Sequence, residues 1–333
     1  MEQQMNMQHI LFQQIRDKMP PNLSLADEIS YLLDISTDSA YRRIRGKKSL
    51  SMKELQRLCS NYEISVDTLF NIKSENIIFS YKPLDNKLFN FEQYLINILN
   101  DFKKIQNFGN KEIIYFAKDI PIFQYFQLSE LAIFKIFFWH KTILQFPGYE
   151  EKLFSFEEVP EALLETGRKI LNIYIKLPVI EIWNEDTINS ILRQIEFYWE
   201  SGFFKRKEDA LLLCESIDKL ISHIQKQAKC GFMFLYQGKA VGLEGNYKFY
   251  HNEVILGDNT IFVTMNNNKI TYLTYNVLNF LTTTNPAFCH QTHESLKILM
   301  KKSSLISVAS EKERNRFFNK LFEKIKLLKT KIV

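Results

Sequence analysis

Residues 24–48 read SLADEISYLLDISTDSAYRRIRGKK, and this stretch decides the fold of the N-terminal part. Ser24 is placed to cap a helix whose first turn holds Asp27 and Glu28, carboxylates that suit the positive end of the helix dipole. Leu25, Ile29, Leu32 and Leu33 recur at helical spacing as an inward face. Asp34 falls where the chain must turn sharply, and Asp tolerates the left-handed conformation better than most non-glycine residues. Ser36 or Thr37 can cap a second, short helix with Ala40 and Ile44 on one face, and Gly46 stops it. Two helices joined by a short turn, the second cationic, predict a helix-turn-helix with recognition helix Thr37 to Arg45.

Working outward, Met7, Leu11 and Ile15 predict a helix before Pro20-Pro21. Ser51-x-x-Glu54 is a capping box for a fourth helix carrying Leu55, Leu58 and Cys59, and Ser65 opens a last one through Val66, Leu69 and Phe70. Charge is segregated. Residues 24–41 hold Asp27, Glu28, Asp34 and Asp38 and no Lys or Arg. Residues 42–57 hold Arg42, Arg43, Arg45, Lys47, Lys48, Lys53 and Arg57 against the single acid Glu54. Such an edge suits a phosphate backbone.

These residues resemble the Cro/C1-type (XRE-like) repressor domains, and especially the BetR-type variant of bacterial regulators. Ile29-Ser30 sits at the family's Leu-Ala pair, and Ile35-Ser36, Arg45-Gly46-Lys47 and Ile64-Ser65-Val66-Asp67 fall at its other marks. Asp34 replaces the usual turn Gly. Arg43 takes a position that is often apolar, with Ile44 assuming the packing role. The resemblance implies an all-α DNA-binding domain over 1–72, double-stranded DNA as partner, and a homodimer on paired half-sites. Placed in the major groove, the helix would offer Thr37, Asp38, Tyr41 and Arg42 to base edges. Asp38 could instead cap its own helix. Arg43, Arg45, Lys47 and Lys48 are assigned to phosphates.

A chain of 333 residues with 28 Phe and 15 Tyr can build a second, larger core, assigned to 77–333. Polar residues 71–76 (NIKSEN) mark the boundary. Ile77–Tyr81, the face Phe91 to Ile105 and Glu112–Ala117 suggest a strand, helix and strand, hence a parallel pair with a crossover helix. Helical periodicity runs from 128 to about 228. Strand chemistry follows in Glu253–Leu256, Thr260–Thr264 and Ile270–Tyr275, a β-meander near 247–275. A helix near 294–302, a strand at Leu305 to Val308 and a helix from about 311 complete a helix-rich mixed α/β (α+β) domain. It is expected to dimerise and to take a small-molecule or protein effector.

The sequence carries no GxSxG, P-loop, GxGxxG or HExxH, so no catalytic residue, metal or cofactor is assigned and a non-enzymatic regulator is expected. Cys289-His290-x-x-His293 approaches zinc spacing but lacks a second cluster, and is read as a polar loop after Pro286. His223 and His251 are read as surface or satisfied histidines. The aromatic segment 115–149 is read as core in preference to a ligand pocket. The last helix, apolar along Phe317, Leu321, Ile325, Leu328 and Ile332, is read as packing on its own domain or on a partner subunit. Scattered Cys59, Cys214, Cys230 and Cys289, with no signal peptide and no membrane span, point to the cytoplasm. The alternative is an enzyme, or an antitoxin-like partner-binding module, with an appended helix-turn-helix.

Overall fold

Ser24, Ser36 and Ser51 stand in extended backbone, each immediately before a helix. Their hydroxyls accept from the backbone N–H of Asp27, Ser39 and Glu54, satisfying donors that a helix start leaves orphaned. The structure is a computed structural model that describes residues 7–20, 23–62, 64–69, 77–81, 90–254 and 257–332. It divides into two compact units, Met1–Ile77 and Ile78–Val333.

The first unit is helical: α1 (Met7–Lys18), α2 (Leu25–Leu33), α3 (Thr37–Ile44), α4 (Met52–Asn61) and α5 (Val66–Leu69). Leu11, Phe12, Ile15, Ile29, Leu33, Ala40, Leu58 and Leu69 form its core. Phe70 and the expected boundary 71–76 lie outside the described residues.

The second unit is a mixed α/β domain on a 7-stranded sheet of order β6-β5-β4-β1-β2-β3-β7. In chain order it runs α6 (Phe91–Gln106), β1 (Lys111–Ala117), α7 (Ile122–Tyr125), α8 (Ser129–Phe138), a π-helical turn (Trp139–Ile143), α9 (Glu161–Tyr174) and β2 (Val179–Trp183). It continues α10 (Asn189–Glu200), α11 (Glu208–Cys230), β3 (Tyr247–His251), β4 (Thr260–Met265), β5 (Asn268–Tyr275) and β6 (Asn279–Thr283). Then come α12 (Pro286–Lys301), β7 (Ser304–Leu305) and α13 (Glu311–Ile332). Strands β1, β2 and β3 are parallel; β4, β5 and β6 form an antiparallel meander on β1.

Alternation along the strands sorts side chains to two faces. Ile113, Tyr115, Val179, Trp183, Tyr247 and Phe249 join the main core with α6 to α11 and α13. Ile114, Phe116, Ile180, Ile182 and Phe262 face Cys289, Leu296 and Leu299 of α12.

Four placements differ from the sequence expectations, and the simplest is the strand expected at Leu305 to Val308, which is confined to Ser304–Leu305. The parallel partner of β1 is β2, inside the stretch read as helical, while residues 77–81 supply only an antiparallel bridge from Ser80 to Thr282 at the β6 edge. A five-residue apolar strand interrupted by Glu181 is too short to stand out from helical periodicity. Glu253 and Val254 are not strand; Ile255 and Leu256 lie outside the described residues, and the meander occupies 260–283. Finally, Cys289, His290 and His293 lie on α12, not on a loop. Asn285 caps that helix and Pro286 opens it, the usual place for a proline without an N–H to give.

Candidate nucleic-acid interface

The turn between α2 and α3 is built from local bonds. Asp34 adopts φ +56°, ψ +53°, the left-handed cap, and its side chain is exposed. Ser30, at a close approach of the two helices, donates its hydroxyl to the Ile35 carbonyl at 2.6 Å. A larger residue there would separate the helices and leave that carbonyl unpaired.

At the far end of α3, Gly46 takes φ +70°. The Gly46 N–H donates to Arg43 O at 2.9 Å and the Lys47 N–H to Arg42 O at 2.8 Å, a Schellman closure. Gln8 of α1 locks this end. Its amide donates to Arg43 O at 2.6 Å and to Lys48 O at 2.8 Å, and its oxygen accepts from the Leu50 N–H at 3.0 Å. No motif in the sequence announces Gln8; only the fold brings it to a loop about forty residues on.

Between these fixed ends the helix shows two faces. Ala40 is buried and Ile44 packs on the core, whereas Thr37, Asp38, Tyr41, Arg42 and Arg45 are exposed together. Ser36 fills the N-cap, which leaves the Asp38 carboxylate free of that duty. Arg45 lies over the Tyr41 ring at 5.6 Å, a cation–π contact that keeps both side chains on the outer face. Lys47 and Lys48 are also exposed. Among the described residues none of Arg42, Arg45, Lys47 or Lys48 pairs with an acid, so their charge faces solvent uncompensated.

Arg43 is placed differently from its assignment to phosphate. It is 5 % exposed. Its guanidinium donates to Glu54 Oε1 at 2.6 Å and to Ser39 O at 3.1 Å. The reason is geometric: residues 40, 43 and 44 share the inward face of an eight-residue helix, so Arg43 cannot turn out with Arg42. Glu54 therefore serves twice, since its Oε2 also accepts from the Ser51 N–H at 2.8 Å to complete the capping box. Burial alone would raise the Glu54 carboxyl. Hydrogen bonds from Arg43 and from the Ser51 backbone, with the Arg43 charge, outweigh it and hold the carboxyl below its ordinary value.

The second unit answers the other candidates. Cys289 is buried against Thr271, His290 is exposed, and His293 stacks on Phe262 at 4.7 Å. Among the described residues no group of three His, Cys, Asp or Glu is placed to hold a metal ion. His223 is buried with Nε2 2.8 Å from Phe234 O, and His251 is buried against Phe317. Phe134, Phe137 and Trp139 of the aromatic segment fill the main core. Helix α13 packs on α10 and α11, and its Lys324 and Lys331 pair with Asp186 at 2.9 Å and Glu196 at 2.6 Å.

Two buried polar clusters escaped the sequence reading. Glu181, 0 % exposed, accepts from Tyr174 Oη at 2.7 Å, Tyr247 Oη at 2.9 Å and Gln124 at 2.9 Å, which ties α7 and α9 to the sheet. Burial pushes its carboxyl up against these donors. Lys135, 2 % exposed, reaches Gln194 Oε1 at 3.0 Å and Asp119 Oδ2 at 3.4 Å, with the rings of Tyr125 and Trp139 close to its ammonium. A lone charge inside an apolar run, as in VIEIW or AIFKIFF, is the one signal that could have found them.

A family profile described as a BetR domain, a helix-turn-helix-type domain, matches residues 6–88 of the 333. No curated protein and no solved structure matches the chain. No helix among the described residues is long and apolar enough to cross a membrane.

Proposed function

We propose that the chain is a sequence-specific, non-catalytic transcription regulator of the XRE-like kind, acting on double-stranded DNA as a cytoplasmic homodimer. The observation that carries this is the exposed face of α3, where Thr37, Asp38, Tyr41 and Arg42 stand together beside Arg45, Lys47 and Lys48, cations that pair with no acid among the described residues. With the N-terminal part of α3 in the major groove, Arg42 reads guanine through a bidentate pair, worth about 1–3 kcal/mol of discrimination. Tyr41, Thr37 and Asp38 complete the base-reading set. Arg45, Lys47 and Lys48 grip phosphates and fix register. Arg43 leaves the phosphate set, because its charge is already answered by Glu54.

One small helix-turn-helix rarely gives adequate specificity alone, which favours a dimer on half-sites about one helical turn apart. The second unit, with its own sheet and core, supplies a body for dimerisation and for effector binding. The test is selection of bound genomic fragments with the purified protein, followed by titration of Arg42→Ala on the selected site. The reading expects a paired-half-site consensus and a loss of about tenfold or more in the variant. Enrichment of no sequence would end it.

A further inference from the structure

After α11, residues 231–246 (GFMFLYQGKAVGLEGN) contain no helix or strand. The first half of this loop is pinned. The Phe234 carbonyl accepts from Gln127 at 3.1 Å and Gln227 at 2.7 Å, and the Tyr236 N–H donates to Gln127 Oε1 at 2.8 Å. The second half is held by its own backbone, with the Val241 N–H donating to Lys239 O at 2.9 Å and the Asn246 N–H to Leu243 O at 3.1 Å, while Lys239, its one side chain able to hydrogen-bond between 238 and 243, makes no such bond among the described residues. That half carries Val241 and Leu243, 77 % and 71 % exposed. Both side chains line the groove described next.

Between this loop and the C-terminal end of α9 lies a groove of about 430 Å³. That volume lies within the range of roughly 300–1,000 Å³ typical of small-molecule sites, where protein partners usually meet flatter surfaces. Its walls are mostly apolar. Among the described residues the charged groups that line it are Lys176 and Lys239, with Asn172 and Asn246 as further polar groups and no acid. The loop's one acid, Glu244, does not line the groove. At the floor, buried Met233 lies 3.9 Å from Gln124, which itself holds Glu181. An occupant that displaces Met233 therefore reaches the bonds seating α7 and α9 on the sheet.

We propose that this groove binds a small carboxylate-bearing amphiphile, its aliphatic body against Ile175, Phe232, Met233 and Leu235 and its carboxylate answered by Lys176 and Lys239. The assignment rests on the reading of the second unit as an effector domain and gives that domain a ligand class. An apolar wall selects the body, and cations without a competing acid select the head group.

Calorimetric titration of the full chain with decanoate, below its micelle-forming concentration, tests it. Saturable binding is expected, with decylamine and decanol at least about tenfold weaker. Lys176→Glu with Lys239→Glu should weaken decanoate by about tenfold or more, and Asn172→Trp, which fills the groove from one exposed position on α9, should abolish binding. Both variants alter surface residues, and an unchanged melting temperature verifies their fold. No saturable binding, equal binding of decylamine, or wild-type affinity in both variants overturns the proposal. DNA affinity measured on the same samples keeps the two readings apart. Decanoate binding without DNA binding overturns the regulator and spares the groove, and the converse overturns the groove alone.

Discussion

Arg43 Nη2 lies 2.6 Å from Glu54 Oε1, joining the inward face of α3 to the first turn of α4. Both side chains are largely withdrawn from water, 6 % and 18 % exposed, so each depends on the other. Glu54→Ala should destabilise the first unit by about 2–3 kcal/mol, less than a fully buried pair would lose because Glu54 keeps some solvent contact. Replacing both partners, Arg43→Met with Glu54→Gln, should restore most of that loss. Urea unfolding of the set checks this. In DNA titrations the double variant should keep the wild-type salt slope, whereas Lys47→Ala should lower it by about 1. A lowered slope in the double variant would return Arg43 to the phosphates.

The same carboxylate fixes a pH response. The folded-state value of Glu54 lies below its ordinary 4.5, so its contribution is present in full above the unfolded value and is lost as pH falls through the folded one. Acid unfolding of the first unit should therefore begin at higher pH in Glu54→Gln than in the wild type. Coincident acid transitions would show that the pair carries no linkage.

In the second unit His140 is 5 % exposed, stacked on Phe146 at 4.8 Å, with neither ring nitrogen hydrogen-bonded among the described residues. Burial, with a smaller contribution from the Lys152 charge, pushes it down to about 4 from 6.5. The unfolded chain then binds a proton that the folded one refuses, and stability drains away as pH falls from about 6.5 to about 4, by roughly 3 kcal/mol in all. His140→Phe removes two unmet polar atoms and keeps the stacking. It should match or exceed wild-type stability at pH 7 and flatten this part of the profile. His223 and His251, also lowered by burial, remain in both proteins, so the difference between the two melting curves isolates His140. An identical pH profile would refute the assignment.

Val277 joins β5 to β6 at φ +63°, a conformation that a β-branched residue adopts only under strain. Its side chain is 53 % exposed and has little packing to lose. Val277→Gly should stabilise the second unit by about 1 kcal/mol, read as a higher denaturation midpoint at unchanged m-value. A lower midpoint would mean that the valine is held by contacts that outweigh its backbone.

Gly167 shows the opposite case. A Cβ added there would stand 2.2 Å from the Phe126 ring, so α9 meets the segment after α7 at a distance only glycine permits. Gly167→Ala should cost about 1–3 kcal/mol despite its better helix propensity. Thermal melts at neutral pH decide the sign.

What the sequence disclosed follows the range of the forces involved. Ser24, Ser36 and Ser51 cap helices through bonds to residues three positions away, and Asp34 and Gly46 turn the chain by their own backbone freedom, so the helix-turn-helix was legible. The exposure of Thr37, Asp38, Tyr41 and Arg42 on the outer face of α3 was legible for the same reason. Arg43 was misplaced because its partner is eleven residues off and the hydrogen bond exists only once α4 has packed. Strand β2 stayed hidden because parallel pairing joins residues far apart, Ile113 to Val179, and leaves no local period. The groove beside residues 231–246 is likewise a product of assembly, formed where α9 and a loop about sixty residues later come together.

The Gln8 clamp has a bearing on where a minimal DNA-binding fragment can begin. A fragment starting just past Gln8 would keep α2, α3 and the whole recognisable motif, yet lose the three bonds that hold Arg43 O, Lys48 O and the Leu50 N–H. Its cationic loop would then have to be ordered by the DNA itself, and affinity would fall although no contacting residue had been removed. The first helix is thus preorganising scaffolding for a surface it does not belong to.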